Sequence, residues 1–163
     1  MNGEPTKLLF VCLGNICRSP TGEGVMRHII DEAGLSDAFE IDSAGTGNWH
    51  LGESPDRRSV AAAAARGITI GGRARQVTGA DFEHYDFILA ADAYNFRDLQ
   101  AIAPTDEDEA KVRMLRSFDP MSTADDYDVP DPYYGGPSGF DDVIDLVEAA
   151  CRGLLDEVLT QKA

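Results

Sequence analysis

A chain of 163 residues, 43% hydrophobic and 26% charged, is long enough to bury a core without staples and too apolar to be wholly disordered. Twenty-nine acidic residues against fourteen basic ones leave a net charge of −15, which excludes a nucleic-acid surface and requires any anion site to be built locally. No apolar run is long enough to span a bilayer, and three cysteines, Cys12, Cys17 and Cys151, do not make a disulfide framework.

The start of the chain, Met1 to Lys7, lacks the basic opening and long apolar stretch of a signal peptide. A cytoplasmic location is the expectation, with export by a route that needs no such signal left open. Lys7-Leu8-Leu9-Phe10-Val11 is short, apolar and bounded, and predicts a buried central strand. A helix follows, with Ser19 as its cap, Pro20 at its first position and Gly34 as its stop. Phe39 to Ser43 reads as a second strand. Ser54-Pro55 opens a helix through the alanine run Ala61 to Ala65, ended by Gly67.

Asp86 to Ala91 predicts a third strand, Ala93 to Ile102 a helix capped by Asp92, and Val112 to Leu115 a short fourth strand. Between these last two, Pro104 to Glu109 reads as a solvated acidic loop. After the loop-rich stretch from Asp119 to Gly139, a final helix begins at Ser138, with Asp141 completing an approximate capping box, and runs to about Leu159. The expected architecture is one α/β domain over residues 1–163. It is doubly wound, a four-stranded parallel sheet with helices on both faces. Such sheets place their sites where strand carboxyl ends meet helix N-termini, so the first junction draws the attention.

That junction reads Val11-Cys12-Leu13-Gly14-Asn15-Ile16-Cys17-Arg18-Ser19-Pro20. A cysteine between a buried strand and a helix faces unpaired amides and the positive end of the helix dipole, surroundings that favour thiolate over thiol. Gly14 permits a tight path that turns amides inward, and Arg18 offers a planar fork to two oxygens of a phosphate. Asn15 and Ser19 are short polar residues suited to pinning the loop or bonding the sulfur. Together they predict a phosphate-binding loop for a tetrahedral dianion with a nucleophile at its floor. A buried core cysteine and a helix-end ion pair are the plainer alternatives for Cys12 and Arg18.

Breaking a phosphoester with a thiolate also requires a proton for the departing oxygen. Asp119-Pro120 and Asp131-Pro132 compete for this task, and either reads equally as a turn. Asp131 has the better setting, because Tyr133 and Tyr134 follow at once and suit an aryl leaving group. His28, His50 and His84 are scattered, so no metal site is expected, nor any cofactor.

The string Cys12 to Pro20 resembles the signature loop of the low-molecular-weight protein tyrosine phosphatases. The likeness extends through Ser43-Ala44-Gly45-Thr46, Ala74-Arg75-Gln76, Asp92 with Asn95, and Asp131-Pro132-Tyr133-Tyr134, and so over nearly the whole chain. Gly45-Thr46-Gly47-Asn48-Trp49-His50 further resembles actinobacterial members. The resemblance implies a protein tyrosine phosphatase acting through a phosphocysteine, with Cys12 as nucleophile and Asp131 as general acid. Arg18 and the backbone of Leu13, Gly14, Asn15, Ile16 and Cys17 would hold the phosphoryl oxygens. It makes Trp49, Tyr133 and Tyr134 walls of the phosphotyrosine slot, lets Ser43 support the loop through Asn15, and gives Asp92 a supporting part beside Ser19.

It also implies that Cys12 and Cys17 can pair reversibly in a disulfide, while Cys151 reads as inert core. The implied partners are phosphotyrosine proteins, with inorganic phosphate as product and inhibitor, no nucleic acid, no membrane, and a monomer acting in bacterial signalling. One departure stands out: Gly72-Arg73 occupies the place where the family often has His before Ala74-Arg75, which removes the usual partner of Asp92. Arg57, Arg58 and Arg73 are candidate bases near the pocket that could offset the overall negative charge.

Three rival readings remain at this level. Arsenate reduction on the same fold needs relay cysteines between Gly72 and Asp98, where none occurs. A protein arginine phosphatase has a similar loop but carries Thr where this chain has Ile16, and Ile16 with the tyrosine pair favours an aryl phosphate. A non-catalytic phosphate-binding or redox-sensing module would be expected to lose Cys12, Arg18 or Asp131, and all three are present.

Overall fold

From Leu8 to Val11 no side chain is polar and none is more than 1% exposed, so this segment has no face to turn to water. Both faces must be covered, which makes it a central strand. In the computed structural model, which describes residues 3–133 and 138–162, it lies within β1 (Thr6–Cys12). Strand β1 pairs in parallel with β2 (Phe39–Gly45) on one side and β3 (Phe87–Ala90) on the other. Strand β4 (Val112–Met114) extends the sheet beyond β3, also in parallel, in the order β2-β1-β3-β4. The four-stranded parallel sheet expected from the sequence is present, with its order reversing across β1, the arrangement of a doubly wound fold.

The two-residue period of β1 sorts its side chains into two cores. Leu8, Phe10 and Cys12 face α1 (Arg18–Glu32) and α6 (Ser138–Lys162), joined there by Val25, Met26, Ile144 and Leu154. Leu9 and Val11 face the opposite layer, with Phe82 from α3 (Gly79–His84) and Leu99 from α4 (Ala93–Ile102). Each such buried aliphatic or phenyl side chain contributes about 1.5–3 kcal/mol relative to exposure. Residue Gly153 of α6 lets that helix press against the 3-10 turn Leu115–Phe118; a Cβ there would lie 1.8 Å from the Phe118 carbonyl oxygen.

Several boundaries differ from the sequence expectation, each for a local reason. Helix α1 starts at Arg18, not after a Ser19 cap: Cys17 is the capping position, without a side-chain bond, and the Ser19 hydroxyl turns to Cys12 instead. It ends at Glu32 with Ala33 as its cap, and Gly34 just beyond takes the left-handed φ of +71° that turns the chain away. Helix α2 (Arg57–Ala64) is capped by Asp56, whose carboxylate accepts the Arg58 amide at 2.8 Å, so Ser54-Pro55 only leads into it. Helix α3 was not expected, although Thr78 and Asp81 form a reciprocal capping box at its start. The acidic stretch contains α5 (Asp106–Glu109), a single turn capped by the Thr105 hydroxyl, rather than a loop throughout. Among the described residues no helix is long and apolar enough to cross a membrane.

Candidate active site

At the carboxyl end of β1 the chain enters a loop whose carbonyls are bound from outside. Thr46 donates to the Cys12 oxygen and Gly47 to that of Leu13, both at 2.9 Å, and Asp56 donates to Ile16 at 2.8 Å. Among the described residues, the amides from Leu13 to Cys17 donate to no other protein group. A ring of free donors at a helix N-terminus is a cradle for an anion.

The tight backbone path falls on Asn15 rather than Gly14. Asn15 takes φ +56°, while Gly14 stays out of the left-handed region. An asparagine tolerates that conformation at a cost of about 1–2 kcal/mol, and its side chain makes three bonds in return. Its Nδ2 donates to the Ser19 hydroxyl at 2.8 Å and the Ser43 hydroxyl at 3.0 Å, and its Oδ1 accepts the Arg75 amide at 2.9 Å. The expected link from Ser43 through Asn15 is therefore present, and Arg75 adds an anchor that sequence reasoning missed. Glycine at position 14 answers a different need, since a Cβ would stand 3.0 Å from His50 Cδ2.

Cys12 Sγ lies 3.0 Å from the Ser19 hydroxyl and 3.4 Å from the Ser19 amide, with the whole residue 3% exposed. Arg18 is equally buried. Its Nη1 contacts Asp92 Oδ2 at 2.6 Å and donates to the Val129 carbonyl at 3.0 Å, while its Nη2 stands 3.7 Å from Asp131 Oδ2. Burial alone would lower the basicity of this guanidinium, but Cys12, Asp92 and Asp131 around it reverse the sign and hold its pKa above the ordinary value. Asp92 also caps α4, accepting the Asn95 amide at 2.8 Å, so Arg18 and the helix occupy both its oxygens. That arrangement supplies Asp92 with a partner despite Gly72, where a Cβ would meet nothing within 4 Å.

Cys12, Cys17, Arg18, Ile16, Trp49 and Asp131 line one cavity of about 420 Å³, together with Leu13, Gly14, His50 and Tyr133. Larger clefts of about 630 and 640 Å³ lie beside Glu23 and beside the chain ends, and neither is lined by a cysteine. Asp131 is exposed and accepts the Tyr133 amide at 3.0 Å. Its rival Asp119 is buried away from this cavity, in a turn where it accepts the Met121 amide at 2.8 Å. Trp49 is 70% exposed at the rim, its ring over Gly47, where any Cβ would lie 2.0 Å from Trp49 Cζ3. Tyr134, also expected as a wall, lies outside the described residues.

Cys17 is a free thiol, as are Cys12 and Cys151. Burial, reinforced by the Asp56 carboxylate, pushes the Cys17 thiol up to about 12. One wall residue, His50, and one backbone partner of Arg18, Val129, carry no assignment from the sequence. His50 is held by Glu53 at 3.0 Å, and its place next to Trp49 in the chain is the signal that marks it. Val129 contributes only its carbonyl, for which no side-chain signal exists.

The chain matches a family model described as low molecular weight phosphotyrosine protein phosphatase over residues 7–163. It is 49% identical over 155 residues to a low molecular weight protein-tyrosine-phosphatase of Streptomyces coelicolor, covering 95% of this chain and 94% of that protein. Its identity to a low molecular weight phosphotyrosine protein phosphatase of Sus scrofa is 40% over 152 residues, covering 93% and 94%. Among solved structures, a protein tyrosine phosphatase from Entamoeba histolytica with Hepes in its active site superposes with a TM-score of 0.92 at 39% identity, covering 97% of this chain and 99% of that one.

Proposed function

The chain belongs to the low molecular weight phosphotyrosine protein phosphatase family, and we propose that it hydrolyses phosphotyrosine in proteins through a phosphocysteine. The observation that carries this reading is the convergence of Cys12 Sγ, unengaged loop amides, Arg18 and Asp131 on one cavity.

Cys12 attacks phosphorus in line as the thiolate, while Asp131 gives its proton to the phenolic oxygen as the P–O bond breaks. Arg18 and the amides from Leu13 to Arg18 hold the equatorial oxygens. In the second step Asp131, now ionised, takes a proton from water; the hydroxyl attacks phosphorus and Cys12 leaves as thiolate, releasing phosphate. Amides and a fixed guanidinium balance charge that a divalent cation handles in other phosphoryl transfers. Ser19, Ser43, Asn15 and Asp92 keep the cradle in shape, while Trp49 and Tyr133 flank the substrate ring. Inorganic phosphate is the product and a competitive inhibitor. We take residues 1–163 as one domain, acting as a monomer in the cytoplasm, in bacterial signalling.

Ile16 on the cavity wall supports an aryl over a guanidino phosphate, because it offers no hydrogen-bond partner. Phosphotyrosine and phosphoarginine peptides of matched sequence, assayed side by side, test the reading. The expected result is a higher kcat/KM on phosphotyrosine; preference for phosphoarginine would overturn the substrate assignment, and inactivity on both the enzymatic one.

A further inference from the structure

Asp131 sits on an exposed segment, and the groups that hold this segment against the nucleophile loop decide where its proton goes. Arg18 reaches it from within the cradle, at the Val129 carbonyl and Asp131, and a second arginine reaches it from α2. Arg58 Nη2 donates to the Tyr133 carbonyl at 3.2 Å, and its guanidinium carbon lies 5.3 Å from the centre of the Tyr133 ring and 4.7 Å from that of Phe140. The same guanidinium grips Asp56 with two bonds, Nε to Oδ1 at 3.1 Å and Nη2, which it shares with Tyr133, to Oδ2 at 2.9 Å. Asp56 is in turn tied to the cradle, since its amide donates to the Ile16 carbonyl. Tyr133, at the far end, gives its amide to the Asp131 carboxylate.

We propose that Arg58 is a positioning residue for proton transfer: it fixes Tyr133 relative to the cysteine loop and so holds the Asp131 carboxyl in reach of the leaving oxygen. This rests on the reading of Asp131 as general acid. The chemistry calls for arginine, since a planar guanidinium meets a carboxylate with two bonds and lies against aromatic faces at once, while an ammonium is a single point charge. Arg58 does not line the cavity itself. Its effect is therefore to be sought in the dependence on the leaving group rather than in binding.

The experiment measures kcat/KM on phosphotyrosine, phenyl phosphate and 2,4-dinitrophenyl phosphate for the parent enzyme, Arg58→Ala, Arg58→Lys and Asp131→Asn. The parent fold is checked by thermal melting and the cradle by competitive inhibition with inorganic phosphate. Asp131→Asn is expected to lose about 100-fold or more on the phenyl and tyrosyl esters and far less on the dinitrophenyl ester, which needs no proton. Arg58→Ala is expected to lose about tenfold on the first two and under about twofold on the third, with the phosphate inhibition constant unchanged. Arg58→Lys falls between, and supplies the same comparison if the alanine variant does not fold. An equal loss on all three esters, or none, while Asp131→Asn keeps its steep dependence, overturns the role of Arg58. A flat response of Asp131→Asn itself overturns the assignment of the acid, and this proposal with it.

Discussion

Replacing Ser19 with alanine isolates what one hydroxyl does for the sulfur. Ser19 Oγ lies 3.0 Å from Cys12 Sγ, and because Asn15 Nδ2 already donates to that oxygen at 2.8 Å, the hydroxyl proton is free for the sulfur. Both residues are almost fully buried, so water does not take the place of the lost group. A hydrogen bond to a charged partner is worth about 1.5–3 kcal/mol, or about 10- to 150-fold in rate at about 1.4 kcal/mol per tenfold. The sulfur carries no full charge in the phosphocysteine and regains it as phosphate departs, so the deletion slows the second step most. Stopped-flow with p-nitrophenyl phosphate should show a burst of nitrophenol close to one equivalent, then a steady state slowed by that factor. A rate within about twofold of the parent, or slowing without a burst, would refute the reasoning.

Stability should fall in alkali, because burial first, and a nearby carboxylate second, raise the Cys17 thiol from 9.0 to about 12 and the Tyr85 hydroxyl from 10.0 to about 12, while burial raises Cys151 as well. The native state keeps protons that the unfolded chain releases, so stability is full below about pH 9 and declines towards pH 12, by at most about 1.4 kcal/mol per pH unit for each group. Urea midpoints that match at pH 8 and pH 10.5 would contradict this. Gly153→Ala forces a Cβ against the Phe118 carbonyl and should cost about 3 kcal/mol in urea unfolding; an unchanged midpoint would mean α6 shifts freely there. Trp49→Ala removes a ring that packs on little in the free protein, so melting should hold while KM for a phosphotyrosine peptide rises about 3- to 10-fold, an aromatic pair being worth about 0.5–1.5 kcal/mol. An unchanged KM would place the substrate ring elsewhere.

What the sequence revealed was local. Strand β1 was legible because four adjacent apolar residues, Leu8 to Val11, leave no exposed face, and α4 because Asp92 caps it. The cradle was legible because its members are consecutive. Helix α3 carried a readable signal in Thr78 and Asp81 that its short length obscured, and α5 hid inside four acids that look like solvated loop. Ser19 was misjudged as a cap because a serine before proline suits that position, while the buried sulfur seven residues earlier competes for its hydroxyl. Contacts made across the fold had no pattern to betray them: Arg18 meets Asp92 and the Val129 carbonyl, and Arg58 meets Tyr133, through folding alone.

Asn15 answers two demands at once, a bend that few side chains accept and a knot tying three separate segments beneath the phosphate seat. Glycine would accept the bend and undo the knot. Aspartate could take the bend, but would set a negative charge under an incoming anion and lose the two donated bonds. Alanine satisfies neither. Each of these three changes gives up the bend or the bonds to Ser19, Ser43 and the Arg75 amide, so the shape of the phosphate seat hangs on one amide side chain that never touches the substrate.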